Sequence, residues 1–168
     1  MKFNDETLVF IDLEDTVIDS WYSRVLLTEN AERINRFLKL LSNKQVGVFS
    51  HAIHYRECLL DFEEYIRSFI EKAIDSPINE PIPTVSSFLA AKNQTSDSIA
   101  VSRYLWHVTK HASFYEYISR TYINRVVYLI DDDVPTSYLY DKERNNMIYY
   151  KNVLDPLTIT ASLPDLKW

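Results

Sequence analysis

The chain of 168 residues carries a formal net charge of −6 and contains a single glycine, Gly47. One glycine excludes a glycine-rich phosphate loop and a dinucleotide-binding fingerprint, and an acidic chain is not expected to bind nucleic acid broadly and nonspecifically. The length favours one domain, residues 1–168, that is large enough for a real hydrophobic core.

Strand and helix patterns alternate along the chain, as they do in α/β folds. Apolar runs predict strands over residues 7–12, 45–50, 125–130 and 147–150. Helical spacing of apolar residues predicts a helix between Thr28 and Asn43 and further helices over 54–75, 96–110 and 112–121, with Thr28 and Ser96 as N-caps. The alternation predicts three layers around a central, mostly parallel sheet.

Three stretches lie outside this regular alternation. Prolines at 77, 81 and 83 enforce a connector, and residues 77–96 are expected to form a small cap or an added surface. Within that stretch, residues 84–92 fit either a strand or a short helix. The tripeptide Pro135-Thr136-Ser137 is expected to start another short helix. Residues 154–168 hold two prolines and no clear period, which predicts an irregular tail.

Polar side chains capable of chemistry follow three of the predicted strands. The first strand runs into Asp12 and Glu14, the second ends at Ser50, and a later one ends at Asp131 and Asp132. The carboxyl ends of parallel strands meet at one edge of a sheet, where α/β folds build active sites. Clustered carboxylates repel one another and need a proton or a cation such as Mg²⁺. We therefore expect a magnesium site at this edge.

The order of these residues resembles the motifs of the haloacid dehalogenase-like (HAD) superfamily of phosphotransferases. The first motif, an apolar strand followed by Asp-x-Asp-x-Thr, corresponds to Asp12-Leu13-Glu14-Asp15-Thr16. Ser50 corresponds to the second motif and Asp131-Asp132 to the fourth. The third motif is a lone lysine, for which Lys110 is the best candidate and Lys92 the alternative. The resemblance covers most of the chain and implies a HAD-like (Rossmannoid) fold with a small or absent cap.

The resemblance also implies a role for each matched residue. Asp12 would attack phosphorus and form an aspartyl-phosphate. Glu14 would protonate the leaving oxygen and then activate water. Ser50 and Lys110 would hold the phosphoryl oxygens. The paired acids, Asp131 and Asp132, would hold Mg²⁺ together with the nucleophile.

Glu14 departs from the superfamily pattern, which has aspartate at this position. Glutamate is a carboxylic acid of similar pKa. Its extra methylene moves the carboxyl by roughly 1 Å or more, and catalytic groups tolerate little misplacement. We therefore expect slowed chemistry or none, with metal and phosphate binding less affected.

Two functions of different classes are compatible with these features. One is a Mg²⁺-dependent phosphomonoesterase acting on phosphorylated nucleotides or nucleic-acid ends, since an uncovered site suits macromolecular ends. The arrangement is similar to the 3′-phosphatase domain of phage polynucleotide kinases. The other is a catalytically reduced protein that binds a host macromolecule through residues 77–96 or 135–168. Size and composition are similar to those of T-even phage proteins of the Alc type, which act on host RNA polymerase to stop transcription of host DNA.

The sequence also bears on the compartment. The first residues lack the pattern of a signal peptide, and no run is long enough to span a membrane, so no membrane partner is expected. The single Cys58 cannot form an internal disulfide, which suits a reducing compartment. We expect a cytoplasmic protein, located in the host cytoplasm if the chain comes from a phage.

Overall fold

A five-stranded sheet organises the part of the chain described by the computed structural model, residues 2–91 and 98–159. Its strands are β1 (Thr7–Ile11), β2 (Lys44–Val48), β3 (Val126–Asp131), β4 (Ser137–Asp141) and β5 (Asn146–Asn152). The helices are α1 (Thr28–Lys39), α2 (Arg56–Asp61), α3 (Arg67–Ile74), α4 (Val85–Ala91), α5 (Ser98–His107) and α6 (Lys110–Thr121). A π-helical turn, Phe62–Ile66, joins α2 to α3.

The strand order β2-β1-β3-β5-β4 places β1 and β3 side by side within the sheet. The neighbouring pairs are parallel except for β4, which runs antiparallel to β5. Ile11 pairs with Val48 on one side and with Ile130 on the other. The residues that follow these three positions therefore reach the same edge of the sheet together, as the sequence predicts.

Side chains of β1 alternate between two apolar layers, because successive residues of a strand point to opposite faces. Val9 and Ile11 pack with α1 and with the α2–α3 segment, whereas Leu8 and Phe10 pack with α6. Both faces are covered, which is why β1 and β3 read as continuous apolar runs. The predicted α/β architecture with a central, mostly parallel sheet is confirmed. In the described ranges, none of the helices combines the length and apolarity needed to cross a bilayer.

A third, smaller apolar cluster joins α4 to α5 beside the end of β2. Its buried members are Val85, Leu89, Val101 and Tyr104. The backbone N–H of Val85 donates to the carbonyl of Ile53, which fixes α4 against the segment that follows Ser50. Residues 85–91 are thus helical, one of the two alternatives left by the sequence. Residues 92–97 lie outside the described part, so a cap over 77–96 stays a prediction.

Four local predictions need comment. The N-cap of α1 is Leu27 and makes no side-chain capping bond, so the prediction of Thr28 as N-cap is wrong. The predicted helix at 135–137 is also wrong, because Ser137 begins β4, whose residues pair with β5. The predicted N-cap Ser96 lies outside the described residues. The helix predicted to reach 110 ends at His107, and Thr109 instead caps α6 by accepting a hydrogen bond from the Ala112 N–H.

Candidate metal and phosphate site

The carboxyl ends of β1 and β3 bring three aspartates together. Because Ile11 pairs with Ile130, the next residues, Asp12 and Asp131, lie side by side. One carboxylate oxygen from each of Asp12, Asp131 and Asp132 lies within 4.8 Å of the others. In a six-coordinate Mg²⁺ site, adjacent oxygens lie about 2.9 Å apart and opposite oxygens about 4.2 Å apart. The three predicted ligands could therefore hold one such ion if their oxygens move closer together around it.

The side chain of Lys110 enters this cluster from the first turn of α6. Its Nζ lies 2.7 Å from Asp12 Oδ1 and 3.0 Å from Asp131 Oδ2. The N-terminal end of a helix dipole disfavours a positive charge, so this lysine is stabilised by the carboxylates rather than by its own helix. Of the two candidate lysines, Lys110 lies at the site, and Lys92 lies outside the described residues.

The buried hydroxyl of Thr16 connects two of the aspartates. Its Oγ1 lies 3.1 Å from Asp12 Oδ2 and 3.2 Å from Asp132 Oδ1, and it accepts a hydrogen bond from the Asp132 N–H at 3.1 Å. The chain reaches this position through a tight reversal in which the Val17 N–H donates to the Leu13 carbonyl. Thr16 therefore sets the spacing between the end of β1 and the segment after β3, a role that the sequence motif did not reveal.

The electrostatics of the cluster favour a cation. Burial raises the pKa of Asp12 to about 7, and the charge of Asp131 acts in the same direction, against the lowering effect of Lys110. Burial alone would lower the pKa of Lys110, but the two carboxylates outweigh it and raise that pKa. Burial and Asp131 also raise the pKa of Asp132. One ammonium does not balance three carboxylates, and a divalent cation would neutralise the excess negative charge.

Ser50 follows β2 at the same edge of the sheet. The preceding residue, Phe49, donates its N–H to the Ile11 carbonyl at 3.1 Å, which keeps Ser50 beside the end of β1. The Ser50 side chain is buried, and its Oγ accepts a hydrogen bond from the Ala52 N–H at 3.1 Å. Accepting this bond fixes the hydroxyl oxygen and leaves its proton able to donate to a phosphoryl oxygen.

Glu14 does not join the acidic cluster among the described residues. Its Oε2 accepts a hydrogen bond of 2.8 Å from the N–H of Trp21. Trp21 belongs to a tight loop, residues 19–25, in which the Asp19 carboxylate accepts from the N–H groups of Ser20 and Val25. Glu14 thus anchors this loop, and it would have to break that bond to reach a leaving group.

Two further polar residues near the site were not singled out by the sequence motifs. His51 Nε2 lies 2.8 Å from Ser113 Oγ, and that hydroxyl donates to the carbonyl oxygen of Lys110 at 3.1 Å. His51 directly follows Ser50, and its position next to a strand end marks it in the sequence as a residue that could contact a substrate. Ser113 lies on an apolar stripe of α6, where a serine gives no such signal.

Comparison of the chain with protein-family models, curated proteins and solved structures finds no match of any of the three kinds. The class of chemistry must therefore be argued from the residues of the site. They are an acidic cluster suited to a divalent cation, a lysine and two buried hydroxyls. Such groups can bind a divalent cation and can donate hydrogen bonds to phosphoryl oxygens.

Proposed function

We propose that the protein is a Mg²⁺-dependent phosphomonoesterase with a HAD-like fold and site. One observation carries the proposal: Lys110 Nζ lies 2.7 Å from Asp12 and 3.0 Å from Asp131. Both acids belong to a set of three that fits a single cation. A candidate nucleophile, a lysine that reaches it and a candidate metal site thus lie together at one edge of the sheet, and their order along the chain is that of the superfamily motifs.

In the proposed reaction, a carboxylate oxygen of Asp12 attacks phosphorus. The bond from phosphorus to Asp12 forms as the bond to the leaving oxygen breaks, which yields an aspartyl-phosphate. Lys110 and Ser50 donate hydrogen bonds to the phosphoryl oxygens. Asp12, Asp131 and Asp132 would hold Mg²⁺, which supplies positive charge next to the transferring phosphoryl group. Water then hydrolyses the aspartyl-phosphate and restores the Asp12 carboxylate, with release of inorganic phosphate.

Glu14 limits this reaction. The carboxyl at this position must give a proton to the leaving oxygen and later take one from water. Its 2.8 Å hydrogen bond with the Trp21 N–H holds the carboxylate on the loop instead. Because a misplacement of about 1 Å can cost about 100-fold in rate, the proposed phosphatase turns over slowly.

The substrates proposed are nucleotides and polynucleotides that carry a terminal phosphate. In the described residues, α4 and α5 add only a small helical cluster beside Ser50 rather than a large covering domain. A site left open in this way admits the end of a macromolecule. The chain has no glycine-rich loop, so side chains and helix N-termini must supply the phosphate contacts. Activity in a reducing cytoplasm fits the single cysteine.

The deciding experiment measures Mg²⁺-dependent phosphate release from an aryl phosphate and from a 3′-phosphorylated oligonucleotide. Wild type is compared with Asp12→Asn and with the control Asp15→Asn. Asp15 is exposed and has a positive φ of 60°, a conformation that asparagine tolerates. Release that is lost with Asp12→Asn and kept with Asp15→Asn supports the phosphatase. The absence of release from folded wild type, or equal release by both variants, would reject it.

A second candidate function is binding of a host macromolecule without turnover, as in an Alc-type inhibitor of host RNA polymerase. The specific observation in its favour is that Glu14 holds the loop 19–25, at whose tip Tyr22 is 93% exposed. Tyr138 and Leu154, in the segment predicted as a contact surface, are also exposed. Under this alternative, Asp12→Asn leaves the biological effect intact, whereas Tyr22→Ala weakens it.

A further inference from the structure

A hydrogen-bonded chain connects the segment that follows β2 to the start of α6. Ser113, which is 1% exposed, lies in the first turn of α6. Its Oγ is 2.8 Å from His51 Nε2 and 3.1 Å from the carbonyl oxygen of Lys110. His51 follows Ser50 directly in the chain. The two groups that would hold phosphoryl oxygens, Ser50 and Lys110, are therefore linked through the side chains of their neighbours.

The direction of these hydrogen bonds follows from the number of protons that each group can donate. A hydroxyl has one proton, and Ser113 uses it on the Lys110 carbonyl in the usual i to i−3 pattern of helical serine. Ser113 then accepts from His51, which requires the tautomer with its proton on Nε2. A neutral ring is favoured here, because burial and the charge of Lys110 lower the pKa of His51 to about 4.

The contacts around His51 hold its ring in place. The centroid of the ring lies 6.1 Å from that of Phe49, which packs on the sheet, and 6.1 Å from that of Tyr104, which belongs to the small helical cluster. A ring fixed by packing can fix its hydrogen-bond partner in turn. Lys110 begins α6, and the Ser113 bond to its carbonyl oxygen holds the backbone of that first turn.

We propose that His51 is a positioning residue that acts through Ser113 to hold Lys110 at a fixed distance from Ser50. This inference rests on the proposed phosphatase function and adds a residue to that site. His51 itself transfers no proton and touches no substrate. Its contribution is to keep the lysine and the serine aimed at the same phosphoryl group, so that both donate to it at once.

The test asks whether the hydrogen bond from Nε2 of His51 to Ser113 is responsible for the effect. The amide of glutamine reaches the position of His Nε2, whereas the amide of asparagine reaches only that of Nδ1. We expect His51→Asn and Ser113→Ala to lower kcat by about tenfold or more with a smaller change in KM. His51→Gln should restore most of kcat. His54→Asn, on the same segment, is the matched control and should leave kcat unchanged.

A second readout does not depend on turnover. The ammonium protons of Lys110 exchange slowly when they are bonded to two carboxylates, so their ¹H–¹⁵N NMR signal can be followed, with Lys110→Met identifying it. The signal should weaken or shift in His51→Asn and persist in His51→Gln and His54→Asn. Unfolding in urea verifies that each variant is folded.

The outcomes separate the two proposals. Wild type that releases no phosphate would reject the phosphatase, and the NMR comparison would still decide the positioning role. A Lys110 signal and a kcat that are the same in His51→Asn as in wild type would overturn the positioning role. Equal losses in His51→Asn and His51→Gln would also overturn it, because packing of the ring, rather than the Nε2 bond, would then explain the effect.

Discussion

Replacing Asp12 with asparagine should stabilise the metal-free protein above neutral pH, although it removes the proposed nucleophile. Burial raises the pKa of Asp12 from 3.8 to about 7. A pKa difference of one corresponds to about 1.4 kcal/mol, so ionising this carboxyl in the folded state costs up to about 4 kcal/mol. This cost is already net of the attraction of Lys110. The variant avoids it, but its amide replaces one of the two acceptor oxygens of the carboxylate. We expect a net gain of about 1–3 kcal/mol, with Tm rising by roughly 2–4 °C for each kcal/mol.

The assay is urea unfolding of both proteins with a chelator present, at several pH values between about 4 and 8. The folded protein keeps a proton on Asp12 that the unfolded chain loses above pH 3.8. The contribution of Asp12 to wild-type stability therefore falls as pH rises toward about 7. His51, whose pKa is lowered to about 4, contributes in the opposite direction in both proteins. The difference in stability between variant and wild type therefore isolates Asp12, and it should grow over this window. Saturating Mg²⁺ should stabilise the wild type and reverse the order. A variant that is less stable than wild type near pH 8 in chelator would refute this reasoning.

Three other substitutions test separate parts of the site and its support. Lys110→Met should tighten Mg²⁺ binding about tenfold in calorimetry near pH 8, because the ammonium no longer occupies ligand oxygens; weaker binding would contradict this. Glu14→Asp should raise kcat about tenfold or more in phosphate release, since it restores the expected carboxyl reach; an unchanged rate would dismiss that explanation. Gly47→Ala should cost about 1–3 kcal/mol in urea unfolding, because its new Cβ would lie 2.7 Å from a Phe10 ring carbon.

The sequence predicts well which residues lie at the sheet edge that holds the candidate site, because two simple rules apply there. Apolar residues fill a sheet that is covered on both faces, and polar residues follow where the strands end. Asp12, Ser50 and Asp131 were each expected on this basis, and they lie at neighbouring strand ends. The register between β1 and β3 then places the carboxylates within reach of one cation.

These rules do not predict contacts between residues that are distant in the chain. The segment after Pro135 has a helix-start pattern, but pairing of Tyr138 and Leu139 with β5 makes it a strand, and Asn145 supplies the positive φ for the turn. The bond from Trp21 to Glu14 depends on how the loop 19–25 folds back. No periodic pattern in a sequence encodes that return.

The pairing of Ile11 with Ile130 has a consequence for how the site would come apart. Asp12 and Asp131 follow paired residues of two adjacent strands within the sheet. The two side chains therefore stay next to each other until these strands separate. Lys110 arrives on α6, which can undock while the strands remain paired. In native-state hydrogen exchange, the amides of β1 and β3 should therefore be protected longer than those of α6. Partly opened molecules would then retain the pair of aspartates proposed to bind metal after losing the lysine proposed to bind phosphate.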